Sequence, residues 1–135
     1  MRRDRYTCTI HRSLDGTLNE VELVAVESDG GVRTTRAAGV RLSQTAEPLR
    51  RLLAAGGVSG RVWSGSKPFP IDSRTGMHAE LLLAAIRPLQ RPDRLSNIAD
   101  AIVGMGAEEA SYWHAKSLRS GGLRALRVLL SDGRH

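Results

Sequence analysis

The stretch Met77-His-Ala-Glu-Leu-Leu-Leu-Ala-Ala-Ile-Arg-Pro-Leu89 decides the fold, because apolar residues there recur with a helical period. Leu81, Leu82, Ala85 and Leu89 form one stripe, and Pro88 ends or kinks the segment. Three further short helices are expected after it: Pro92–Met105, Ala107–Leu118 and Leu123–Leu130. In the first of these Leu95, Ile98, Ala99, Ile102 and Val103 face inward. Gly104 and Gly106 separate it from the next, whose opening Glu108 and Glu109 suit the positive end of the helix dipole. Ala110, Trp113 and Ser117 share the core side of that helix, and Leu123, Leu126, Leu129 and Leu130 complete the module.

Upstream the period changes to two. In Arg5–Arg12, Tyr6, Cys8 and Ile10 take one face while Thr7, Thr9 and His11 take the other, as in a half-buried strand. Ser13-Leu14-Asp15-Gly16-Thr17 reads as a turn, and Glu20–Glu27 as a strand pairing antiparallel with the first. After the turn Asp29-Gly30-Gly31, a third strand or a pair of short strands spans Val32–Leu42, with Gly39 as a bulge that breaks it. A sheet this small needs a helix against it. Ala46–Ala55 supplies one, with Thr45 as N-cap, Glu47 and Pro48 in the first turn and Gly56-Gly57 as the stop. Arg50 and Arg51 are then left toward solvent. Residues 58–76 are the least regular part, with short strands at Gly60–Trp63 and Phe69–Asp72.

These elements give one α+β domain over residues 1–135. An N-terminal antiparallel meander of three to five strands with one packed helix occupies 1–63, a loop 64–76, and a bundle of three to four short helices 77–131. No apolar run reaches the length of a membrane span, and the start Met-Arg-Arg-Asp-Arg-Tyr lacks a secretory leader, so a cytoplasmic location is expected. The single cysteine, Cys8, agrees with a reducing compartment.

The formal net charge is +6, from 18 Arg and 2 Lys against 14 acidic residues. The Arg bias has a bland explanation in the base composition of a GC-rich bacterial genome. The surplus charge survives that explanation and favours an anionic partner. Between residues 33 and 61, Arg33, Arg36, Arg41, Arg50, Arg51 and Arg61 face one acid, Glu47. A second cluster, Lys116, Arg119, Arg124 and Arg127, lies on a helix–Gly-Gly–helix corner without any acid. Such corners either are solvated charged faces or grip a phosphate backbone with salt-dependent affinity. With five aromatic residues in the chain, base stacking is not expected.

Catalytic patterns are weak. Ser64-Gly-Ser-Lys67 matches the Ser-x-x-Lys motif of penicillin-recognising enzymes, but Pro68 and Pro70 follow at once and the companion motifs are missing. No glycine-rich phosphate loop is present, and no pair of histidines has metal-ligand spacing on one helix. A zinc site would need distant groups such as His78, Glu80 and His114 to converge, and acid–base work could use His78 in the pattern His-Ala-Glu. Tyr112 and Trp113, adjacent on a helix, must point in different directions: either both serve the core or one meets a protein partner.

Three segments, Leu81–Arg94, Glu108–Lys116 and Leu123–Leu130, resemble an uncharacterised family of small prokaryotic proteins loosely associated with anti-phage defence loci. The resemblance covers about residues 77–131, brings no catalytic residues, and implies an accessory subunit of a nucleic-acid-handling complex. The expectation is therefore a small basic non-enzymatic subunit without cofactor or metal. It would bind DNA or RNA phosphates through Arg50, Arg51, Lys116, Arg119, Arg124 and Arg127, and a larger protein subunit through Tyr112 and Trp113. The alternatives are a small hydrolase or nuclease using His78, Glu80 and His114, and a purely structural homo-oligomer.

Overall fold

The computed structural model describes residues 5–12, 15, 18–63, 67–85 and 95–117, with the side chains of 39–45, 84, 85, 95–98, 107 and 117 outside that description. Four antiparallel strands form one sheet in the order β3-β2-β1-β4, where β1 is Arg5–Arg12, β2 Leu18–Val26, β3 Val32–Ala38 and β4 Phe69–Ile71. Alternation along β1 and β2 places Tyr6, Cys8, Ile10, Val21, Leu23 and Ala25 on the buried face, as their period-two pattern requires. Cys8 lies opposite Leu23, and Ile10 opposite Val21, so both strands contribute to the same core layer.

Of the first turn only Asp15 is among the described residues. The second turn forms as expected: Gly30 adopts φ 95°, and Gly31 N–H donates to Asp29 Oδ1 at 3.0 Å. On the other side of β1, Tyr6 pairs with Ile71 and Cys8 with Phe69. Pro70 is tolerated there because β4 is an edge strand. The expected strand at Phe69–Asp72 is thus present, one residue shorter.

Several boundaries differ from the sequence expectation. The third strand stops at Ala38, and the chain turns directly into helix α1, Gly39–Ala55. Gly39 therefore opens a helix instead of making a bulge, and Thr45, Glu47 and Pro48 lie inside it instead of at its start. Gly60–Trp63 is a 3-10 turn, not a strand. Helix α2, Ser73–Ala85, begins four residues earlier than expected because Asp72 caps it, accepting the Thr75 N–H at 2.7 Å. Helices α3 (Leu95–Val103) and α4 (Ala107–Ser117) follow. The expected helix at Leu123–Leu130 lies outside the described residues.

Helix α2 is the centre of the molecule. It contacts all three long strands and helices α1, α3 and α4, so it is buried on nearly every side, from Thr75 to Leu83 apart from a half-buried Met77. Leu81 and Leu82 are inaccessible to solvent, each contributing roughly 1.5–3 kcal/mol of burial. Around them pack Leu49, Leu52 and Leu53 from α1 and Ala99, Ile102 and Met105 from the α3 region. Two glycines permit the close approach. At Gly76 a Cβ would overlap the Tyr6 ring, and at Gly56 it would overlap the Thr75 side chain. Among the described residues no helix is long and apolar enough to cross a membrane.

Candidate functional site

The central position of α2 carries a carboxylate into the core. Glu80, with its side chain 8% exposed, lies under the sheet between β1, β3 and α4. Three side chains meet it, through four hydrogen bonds. Tyr6 O–H donates to Oε1 at 2.5 Å, and His114 Nε2–H donates to the same oxygen at 2.6 Å. Arg33 adds a two-pronged contact, Nε to Oε2 at 3.0 Å and a terminal nitrogen to Oε1 at 2.8 Å. The other terminal nitrogen of Arg33 pairs with Glu27 at 3.2 Å. Burial alone would raise the Glu80 carboxyl, but hydrogen bonds from His114, Arg33 and Tyr6 outweigh it and hold it at about 2. The carboxylate is ionised and both its oxygens are occupied.

Such an arrangement orients imidazole and guanidinium and ties four elements together. Because the ionised Glu80 can only accept, His114 Nε2 is the donor in this contact.

His78 does not join this cluster. It lines a separate cavity of about 270 Å³ with Leu52, Gly56, Asp72, Arg74 and Thr75. Its ring is buried, and Nε2 has no hydrogen-bond partner. Desolvation, and secondarily the Arg74 charge, lower its pKa, so the buried imidazole is neutral at pH 7. The expected trio is therefore split: Glu80 and His114 touch, and His78 faces elsewhere. Two residues that the sequence reading missed, Tyr6 and Arg33, complete the Glu80 cluster. The available signal was the inward phase of Tyr6 on β1 and a lone acid inside an apolar helix run.

The candidate phosphate contacts are placed unevenly. Arg51 is exposed, and one of its terminal nitrogens donates to both oxygens of Asp100 at 2.9 Å. Arg50, also exposed, stacks over Trp63 with its guanidinium carbon 4.4 Å from the ring centroid. Lys116 stands 5.1 Å over the Tyr112 ring. Arg119, Arg124 and Arg127 lie outside the described residues, as do Ser64–Ser66 of the Ser-x-x-Lys match. Tyr112 is 53% exposed, whereas Trp113 is half-buried against the core, with their rings edge to face at 5.2 Å.

One group of donors for a cation went unnoticed in the sequence. His11, Glu20 and Glu22 bring three ligand atoms within 4.8 Å of one another across β1 and β2. Arg36 already binds Glu22 at 2.9 Å, and all three are partly exposed, so the trio is best read as a surface charge network.

No curated protein and no solved structure matches the chain. A family model described as a domain of unknown function, DUF7680, matches residues 6–132, in keeping with an uncharacterised family. The protein belongs to this family, DUF7680.

Proposed function

We propose that the protein is a small basic, non-enzymatic accessory subunit of a nucleic-acid-handling complex, holding the phosphate backbone of DNA or RNA through arginines and a larger protein subunit through α4. One observation carries this reading. The chain carries a formal net charge of +6, and its stretch from Lys116 to Arg127 holds four cations and no acid. A basic surplus with such an acid-free run favours an anionic partner such as a phosphate backbone. The exposed Arg51–Asp100 bridge is weak enough to exchange for a phosphate. Exposed Tyr112 is the partner-facing aromatic, with Trp113 beneath it. A cytoplasmic location is supported by the unpaired Cys8, and a role in phage defence by the resemblance of the helical segments.

The test is binding of a labelled duplex and a labelled single strand as salt rises from about 50 to 200 mM. The expected result is a steep fall in affinity, with the slope shallower by about 0.9 for each phosphate contact removed in R119A, R124A and R127A. Absent or salt-insensitive binding overturns the reading and leaves the structural homo-oligomer, which size-exclusion behaviour would then reveal.

A second reading has its own support in the contact of Glu80 with His114, flanked by Arg33 and Tyr6. Carboxylate, imidazole and guanidinium together suffice for metal-independent phosphodiester cleavage. Against it stands a carboxylate already saturated by internal donors. Cleavage of labelled RNA by the wild type, lost in H114A and retained in H78A, would favour the enzyme.

A further inference from the structure

Arg50 is held differently from the other arginines around it. Arg33 is bound by Glu80 and Glu27, Arg36 by Glu22 and Arg51 by Asp100. Arg50 has no carboxylate partner among the described residues, and its guanidinium lies instead on the indole of Trp63. That indole is a fixed platform. Trp63 is 4% exposed, and its carbonyl accepts a hydrogen bond from Arg12 Nε.

The N–H donors of a guanidinium lie in its plane, in the fork that matches two oxygens of a phosphate, and an aromatic ring beneath its carbon leaves them for other partners. The platform also removes part of the rotamer freedom that an arginine otherwise loses on binding. Arg61 is exposed on the same 3-10 turn, two residues from Trp63 in sequence, and serves as a neighbouring-charge control.

We propose that Arg50, seated over Trp63, is a preformed phosphodiester-binding fork. The proposal rests on the polynucleotide reading above and deepens it by adding a phosphate contact at α1, apart in sequence from the C-terminal arginines. Because the indole is covered, bases cannot stack on it, so the fork holds backbone without reading sequence.

The experiment compares wild type, R50A, R50K and R61A on labelled duplexes of two unrelated sequences across a salt series. Arg50 and Arg61 are exposed, and thermal melts confirm that the variants keep the fold. R50A is expected to weaken binding at least about fivefold at low salt and to lower the salt slope by about 0.9, equally on both duplexes. R50K restores the charge but not the stacked fork, so it should remain at least about threefold weaker than wild type. R61A should weaken binding less than R50A. Wild-type affinity in R50A, full recovery in R50K, a larger loss in R61A, or a loss confined to one duplex overturns the fork while the broader reading stands. Failure of the wild type to bind with any salt dependence overturns both.

Discussion

The ring of Tyr6 occupies the space where a Cβ at Gly76 would stand, so strand β1 and helix α2 touch backbone against ring. This contact sets the depth of α2 under the sheet and, one turn later, brings Glu80 within reach of the Tyr6 hydroxyl.

Gly76→Ala should therefore destabilise the protein by about 1–3 kcal/mol, by overpacking. Helix propensity pulls the other way, since alanine is better than glycine in a helix interior by about 1 kcal/mol. A lowered urea midpoint shows that the steric term wins. An unchanged or raised midpoint would show that the Tyr6 ring can move aside.

Glu80 gives an acid-labile lock. Its folded pKa, about 2, lies below the ordinary 4.5, so its stabilisation is fully present above pH 4.5 and is lost as pH falls toward 2. The amount is on the order of 3 kcal/mol. Glu80→Gln should cost about 3–5 kcal/mol at pH 7, because Arg33 is left without its buried counter-charge, and should flatten the acid dependence. Urea melts of both proteins across that window test this; parallel curves would contradict it.

His78 works in the same direction over a higher range. Its folded pKa is depressed below 6.5, so the neutral ring favours the fold above that value. As pH drops through it the unfolded chain gains protons first and stability falls. His78→Leu removes a buried nitrogen that has no partner. The expected result is a stability within about 1 kcal/mol of wild type near pH 7, with less loss on acidification. A large loss at neutral pH would mean that the imidazole holds the cavity together.

Burial pushes the Cys8 thiol up to about 12 and leaves it 2% exposed. At neutral pH the native protein should resist thiol reagents and react only on unfolding. Rapid stoichiometric labelling of the folded protein would contradict that placement.

Much of the fold was legible because its periods are clean. The alternation of Tyr6, Cys8 and Ile10 and the stripe through Leu81 and Leu82 name opposite sides of one core. The start of α1 was not legible. Val40 and Leu42 continue a period-two pattern past Gly39, while Thr45, Glu47 and Pro48 imitate a helix start. In the fold Ala38 opens the helix without any side-chain cap, so local signals pointed to the wrong residue. The site was half legible. Glu80 and His114 were named, but His78 stands two residues from Glu80, and on a helix such positions do not face each other. Arg33 reaches Glu80 from β3 across 47 residues, a pairing that no local pattern encodes.

Tyr6, Arg33 and His114 reach Glu80 across separations of 74, 47 and 34 residues. During vectorial synthesis, a nascent chain that ends before α4 has an anion in its interior lacking one of its donors. Folding to completion must wait for the last described helix, and a truncation that removes α4 should leave a species that is open to proteolysis rather than a smaller native protein.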